Sequence, residues 1–177
     1  KGDLQVSLSW DAPSDAGGAS ITDYAVEYSS NSGTSWTVFA DGTSSLTSTT
    51  VTGLTNGTAY IFRVRAQNSE GYSPYSTQSA SVTPSTTAVA PTSLTATYSD
   101  AQVSLSWTAP ADNGGASVTD YAVQYSSNGG TTWTTFTDGT STSSSATVTG
   151  LANGTAYVFR VAAINAAGTG SYSTPST

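Results

Sequence analysis

The sequence predicts an all-β fold, a two-layer sandwich built twice in one chain, and three observations carry that reading. Apolar residues alternate with polar ones over short stretches, glycine, asparagine and proline punctuate those stretches, and no stretch shows helical periodicity. The third observation is a duplication. The segment Gly53-Leu54-Thr55-Asn56-Gly57-Thr58-Ala59-Tyr60-Ile61-Phe62-Arg63-Val64 returns as Gly150-Leu151-Ala152-Asn153-Gly154-Thr155-Ala156-Tyr157-Val158-Phe159-Arg160-Val161. A shift of 97 residues, the step from Trp10 to Trp107, also aligns Tyr24 with Tyr121 and Trp36 with Trp133 without a gap. About two thirds of the overlapping positions are identical. A period of roughly 100 residues suits two whole domains in series, whereas solenoids repeat every ~20 to 50.

Each element follows from its own residues. Leu4, Val6, Leu8 and Trp10 alternate with Gln5, Ser7 and Ser9, a strand that recurs at Val103, Leu105 and Trp107. Pro13 with Gly17-Gly18, and Pro110 with Gly114-Gly115, break the chain into loops over 11–22 and 108–119. Strands follow at 24–28 and 121–125, with Tyr24, Val26 and Tyr28 on one face. Hairpin turns at 31–35 and 128–132 lead into 36–39 and 133–136. Asp41-Gly42 and Asp138-Gly139 turn the chain again before strands at 49–52 and 146–149. In the repeated segment Asn56-Gly57 and Asn153-Gly154 supply the tight turn. Tyr60, Phe62, Val64 and Ala66 then share one face, and Ile61, Arg63 and Arg65 the other. The predicted core is accordingly Trp10, Tyr24, Val26, Leu54, Tyr60, Phe62 and Val64, with Trp107, Tyr121, Val123, Leu151, Tyr157, Phe159 and Val161. A further regular strand is expected at 76–83.

The order of these residues resembles the fibronectin type III family over nearly the whole chain. The resemblance rests on Leu8-Ser9-Trp10 with Ala12-Pro13, on 21–28, on Trp36, on the block from Gly53 to Val64, and on Gly71 with Ser73-Pro74-Tyr75-Ser76. It rests equally on Leu105-Ser106-Trp107, Ala109-Pro110, 118–125, Trp133, the block from Gly150 to Val161, and Gly168 with Ser171-Tyr172-Ser173. It implies two tandem immunoglobulin-like sandwiches over 1–84 and 91–177, joined by a short stiff linker at 85–90 with a proline on each side. Aligned on the family's strands, the first half lacks strand A and the second most of strand G. That pattern suggests a window on a longer array, or a subunit whose neighbour supplies a strand. Arg-Gly-Asp, through which some members bind receptors, occurs nowhere in the chain.

Composition narrows the function. Four basic residues face eleven acidic ones, for a net charge of −7, and such a surface repels phosphate backbones. Neither His nor Cys is present, so the bases and thiolates of hydrolytic triads, a disulfide framework and thiolate metal sites are all missing from the sequence. No enzyme activity, cofactor or metal is expected. Asp11, Asp15 and Asp23 surround one loop, but Asp11 becomes Thr108 in the second repeat, and turn chemistry accounts for Asp15 and Asp112. Asn56-Gly57-Thr58 and Asn153-Gly154-Thr155 match the N-glycosylation pattern, which makes Asn56 and Asn153 candidate sugar sites beside their turn role. Thr140 to Ser145 could carry O-linked sugars. Trp36, Trp133, Tyr72, Tyr75 and Tyr172 are the aromatics not committed to the core, and exposed rings of this kind stack on carbohydrate.

No apolar run approaches the ~20 residues of a membrane span. Charged residues make up 8% of the chain, against roughly 25% in average proteins, and Ser, Thr, Asn and Gly cover the exterior instead. The expected role is a structural or adhesive repeat of a secreted or cell-surface protein, a spacer or filament segment whose partners are neighbouring similar domains, with carbohydrate or another surface protein as further candidates. The other reading is an accessory spacer of a secreted polysaccharide-degrading enzyme.

Overall fold

A computed structural model describes residues 1–176 and resolves two compact units, divided between Ser85 and Thr86. Thr177, the last residue of the second expected domain, lies outside the described residues. In the first unit the strands are β1 (Val6–Ser9), β2 (Asp23–Ser29), β3 (Thr37–Phe39), β4 (Ser48–Val51), β5 (Ile61–Asn68) and β6 (Gly71–Tyr72). The second holds β7 (Thr92–Ser99), β8 (Gln102–Thr108), β9 (Asp120–Ser126), β10 (Thr134–Phe136), β11 (Ser145–Thr149), β12 (Val158–Asn165) and β13 (Gly168–Thr169).

Each unit is a sandwich of two antiparallel sheets. A four-stranded sheet ordered β3-β2-β5-β6 faces the pair β1-β4, and β10-β9-β12-β13 faces β11-β8-β7. The alternation read from sequence sets which side chains meet between the layers. Val26, Val51, Leu54, Tyr60 and Phe62 fill the first core, with Val123, Val148, Leu151, Phe159 and Val161 in the second. Tyr24 packs edge-on against Trp10 at 5.4 Å between ring centroids, and Tyr121 against Trp107 at 5.1 Å. Trp10 and Val64 are only half-buried in the first unit, whereas Trp107 and Val161 are buried in the second. Tyr157 packs half-buried against its cluster.

At the corner before β5, the Tyr60 hydroxyl accepts the amide N–H of Thr55 at 3.1 Å, and Tyr157 accepts that of Ala152 at 3.3 Å. This is the tyrosine corner of immunoglobulin-like sandwiches. The Asn-Gly turns beside it place Gly57 and Gly154 at positive φ.

The residues expected to link the halves are divided between them. The Pro84 carbonyl accepts the Gly57 N–H, so the chain up to Ser85 belongs with the first unit. From Thr86 it belongs with the second: Thr86 N–H donates to Gly114 O, Val89 N–H to Asp112 O, and Asn165 Nδ2 to Thr86 O. Ala88 joins the second core. Amides that a free linker would leave to water are paired with the 108–119 loop instead, which is why this stretch is part of a domain. Strand β7 then runs along β8, with a register shift between Thr92 and Thr95 where Ser93 takes φ of 55°. The first unit has no such strand among the described residues, and one edge of β1 is unpaired.

Gly114 is required twice over. Its φ is positive, and a Cβ there would drive into the Thr86 carbonyl, whereas at its counterpart Gly17, also at positive φ, a Cβ would meet only Asn68 Nδ2 at 3.9 Å, an ordinary contact. Gly17→Ala should therefore cost about 1 kcal/mol and Gly114→Ala at least twice that; denaturant unfolding of the two variants checks the order.

Candidate functional site

The outer face of β5 brings the first unit's two arginines together with aromatic rings and a carboxylate. Alternation aims Arg63 and Arg65 away from the core. The Arg63 guanidinium lies 4.1 Å from the Trp36 ring centroid and 3.9 Å from that of Tyr75, and Arg65 lies 3.9 Å from Tyr72 and 4.7 Å from Tyr75. Cations and rings thus interleave as Trp36, Arg63, Tyr75, Arg65, Tyr72. Each contact of this kind contributes roughly 0.5 to 2 kcal/mol, depending on its exposure. Glu27 on β2 sits opposite Arg63 in register, accepting Arg63 Nε at 2.8 Å and Nη2 at 2.6 Å, while the Tyr75 hydroxyl donates to its other oxygen at 2.6 Å. The second unit keeps a shorter form: Arg160 stacks between Trp133 and Tyr172, and donates to the neutral Gln124.

The residues after β6 hold this stack in place, and they do so with a period of three instead of two. Ser73, Ser76, Ser79 and Val82 donate their amides to the carbonyls of Ala66, Val64, Phe62 and Tyr60. The three serine Oγ atoms accept the N–H groups of the same Ala66, Val64 and Phe62, and donate onward to Pro74 O, Thr77 O and Ala80 O. One serine therefore satisfies both backbone groups of a β5 residue, its side-chain hydroxyl taking the place of the backbone carbonyl that accepts in a regular antiparallel pair. A three-residue repeat is that of polyproline II, so Tyr72 and Tyr75 recur on the arginine side while serines face β5. The regular strand expected at 76–83 is replaced by this segment, with a single bridge at Val82. In the second unit Ser173 and Ser176 form two such rungs on Val161 and Phe159, while Gly170 gives Ala163 the amide bond alone, so the segment there extends up to the end of the described residues. The serine spacing was visible in the sequence, as Ser73-x-x-Ser76-x-x-Ser79, and reading it as alternation missed it.

Other candidates prove to be turn chemistry. Asp15 accepts the Gly17 amide and Asp112 that of Gly114, each at 2.8 Å. Among the described residues no three His, Cys, Asp or Glu side chains converge as metal ligands. Asn56 accepts the Leu4 amide and donates to Asp3, and Asn153 accepts the Ala101 amide and donates to Asp100, so each staples its turn to the approach of the neighbouring strand. A sugar on either Nδ2 would compete with its Asp partner. Trp36, Trp133, Tyr75 and Tyr172, open candidates for sugar stacking, have a ring face covered by arginine.

These two sandwiches, with their tyrosine corners and no helix among the described residues, define an immunoglobulin-like all-β module in tandem. The chain belongs to the fibronectin type III domain family, which it matches over residues 2–82 and 89–177. It is 39% identical over 173 residues to Chitinase A1 of Niallia circulans, covering 92% of this chain and 22% of that protein. It is 30% identical over 172 residues to Fibronectin type-III domain-containing protein 3a of Gallus gallus, covering 96% of this chain and 14% of that one. The chain thus spans under a quarter of the length of these relatives. A crystal structure of domains from titin aligns with a TM-score of 0.64 at 23% identity, over 99% of this chain and 58% of that one, and shares the fold. Fibronectin type III domains are in general non-catalytic modules.

Glu27 makes the first unit sensitive to acid. Burial alone would raise its pKa, but the Tyr75 hydroxyl, Arg63 and Arg65 outweigh that and hold it below the ordinary 4.5. A depressed carboxyl contributes stability that is complete above the unfolded value and is lost as pH falls through the folded one. Burial and the bond to Glu27 hold the Tyr75 hydroxyl above its ordinary 10.0, so its contribution is complete below that value and is lost as alkali removes the proton. Below about pH 4.5 the first unit should lose stability that Glu27→Gln never had, measured as a converging pH profile of the two proteins' unfolding midpoints. Ser76→Ala should cost about 1 to 2 kcal/mol by orphaning the Val64 N–H, read from denaturant curves.

Proposed function

We propose that the chain is a non-catalytic structural and adhesive repeat of a long extracellular or cell-surface protein, serving as a spacer or fibre segment beside similar domains. The observation that carries this reading is the serine-lined segment along β5 and β12. Similar neighbours put the same strands close together in one molecule, and an open sheet edge is a template for mispairing. Here that edge is closed with bonds a foreign strand would have to break, and the arginine stack locks the closing segment from outside. The Ser- and Thr-covered exterior supports a surface that resists adhesion except where it is shaped to accept a partner. Neighbouring copies are the partners this reading requires, and carbohydrate or another surface protein would attach at less regular places.

A second reading is favoured by the similarity to Chitinase A1: a spacer inside a secreted polysaccharide-degrading enzyme. Fused between a catalytic and a carbohydrate-binding domain, such a spacer would raise turnover of insoluble polymer and leave that of soluble oligosaccharide unchanged.

Stretching the chain between its ends tests the mechanical role. Two force peaks should appear, each releasing about 300 Å of contour at ~3.6 Å per residue, and Ser76→Ala with Ser79→Ala should lower one of them. Extension without resistance would count against a load-bearing spacer.

A further inference from the structure

Asn-Gly pairs occur at four places in the chain, Asn56-Gly57, Asn113-Gly114, Asn128-Gly129 and Asn153-Gly154. Such a pair carries latent chemistry, because the backbone nitrogen after an asparagine can attack that asparagine's side-chain carbonyl, and glycine hinders the approach least. Exposure does not rank the four: Asn113, Asn128 and Asn153 are all exposed, and Asn56 is half-buried. Hydrogen bonding does. Asn56 and Asn153 give Oδ1 to the amides of Leu4 and Ala101 and Nδ2 to Asp3 and Asp100, which pulls their side chains away from the glycines that follow. Asn128 is tied likewise, its Oδ1 to Ser126 and Thr132 and its Nδ2 to the Thr132 hydroxyl.

Of the four, Asn113 alone folds back over its own glycine. Its Oδ1 accepts the Gly115 N–H at 3.0 Å, which closes the side chain across the Gly114 peptide, and its Nδ2 has no partner among the described residues. The Gly114 N–H in turn donates to Asp112 Oδ1 at 2.8 Å. We propose that Asn113-Gly114 is a self-modification site, at which the Gly114 nitrogen displaces the Asn113 side-chain amide, with Asp112 as general base and the Gly115 amide as donor to the developing oxyanion. The Gly114 nitrogen bonds to Asn113 Cγ as its proton passes to Asp112. The Cγ–Nδ2 bond then breaks, and Nδ2 leaves as ammonia with the proton that Asp112 returns. Water opens the resulting succinimide at Cγ, giving aspartate, or at the main-chain carbonyl, giving isoaspartate with the chain rerouted through Cγ.

This loop is also where the second unit holds its covering segment, so conversion has a structural effect. Gly114 O accepts the Thr86 N–H, Asn165 Nδ2 bridges Thr86 O and Asn113 O, and Asp112 O accepts the Val89 N–H. Gly114 is already so close to the Thr86 carbonyl that a Cβ would collide with it. The extra backbone carbon of isoaspartate displaces Gly114 from this fit and loosens residues 86–89. The first unit has the base and the glycine, as Asp15 and Gly17, but Ala16 in place of Asn113, so it offers no side-chain carbonyl to attack. The conversion therefore acts on one copy and spares the other, whether the chain is a fibre segment or a spacer in an enzyme.

The test is peptide mapping of the 177-residue chain after storage in warm, mildly alkaline buffer, because chymotrypsin, which cleaves after aromatic residues, places the four Asn-Gly pairs in separate peptides. The peptide holding Asn113 should exchange NH2 for OH at least about tenfold faster than the others, and an isoaspartyl methyltransferase should label it. Asp112→Asn keeps an acceptor for the Gly114 N–H but not a base, and should slow the conversion at least about tenfold. In the converted chain the Thr86 and Val89 amides should lose protection from hydrogen exchange while those of β5 keep theirs. Asn113→Gln, whose longer side chain closes the ring poorly, should show neither change. Conversion spread evenly over the four pairs, fastest at another pair, or undiminished in Asp112→Asn would overturn the proposal. So would isoaspartate at position 113 with Thr86 and Val89 still protected. The ranking of the pairs in the wild-type chain decides the chemistry by itself should Asp112→Asn misfold.

Discussion

The structure depends on one strand in each unit being used on every side. β5 pairs with β2 along one edge and with the serine segment along the other, puts Phe62 and Ala66 into the core, and turns Arg63 and Arg65 outward. β12 does the same with Phe159, Val161 and Arg160. A two-residue period separates core from surface along the strand, and a three-residue period along its neighbour sorts serines from tyrosines. The two periods meet because each serine spans one β5 residue, so rings fall at the height of every second β5 side chain, where the arginines are. Loss of a serine would therefore disturb a hydrogen bond and the seat of a cation at once.

The outer faces show how two units of nearly the same sequence can differ in physics. Glu27 with Arg63, Arg65, Tyr72 and Tyr75 makes a charged network; in the second unit Gln124, Ala162 and Thr169 stand in place of Glu27, Arg65 and Tyr72, leaving one cation between two rings. Buried Glu27 is tolerated because its oxygens receive three donors, two from Arg63 and one from Tyr75. Arg160, facing an amide, needs no counter-charge at that depth because both of its faces are covered by aromatic rings.

Much of this was legible in the sequence. Alternation around Val26, Phe62, Val123 and Phe159 located the core, because a strand with one wet face must show it. The Asn-Gly turns announced the corner before β5, since few residues other than glycine adopt positive φ there. Three features were harder to read. The serine segment contains strand-like residues, so residue type predicts a regular strand there; what decides its period of three is the partner's backbone, which single-residue patterns do not describe. The stretch 85–90 has a linker's composition, yet its attachment depends on Gly114 and Asn165, far away in the chain. Arginine stacking on Trp36 and Tyr75 needs both the β3 hairpin and the serine segment, and no local window contains the three.

Where near-identical domains follow one another, sequence differences at contact points carry more meaning than those elsewhere. Gly170 against Ser73 is such a difference. Glycine stands where the Ala88 carbonyl approaches so closely that a Cβ would collide with it, and serine where its hydroxyl accepts the Ala66 N–H. The second unit can take a backbone carbonyl at this place because no side chain stands there, and the first uses the same place for a hydrogen bond of its own. One substitution at one position of the repeat thus fits each copy of the fold to what packs beside it, a hydroxyl where an N–H needs an acceptor and bare backbone where a carbonyl must come close.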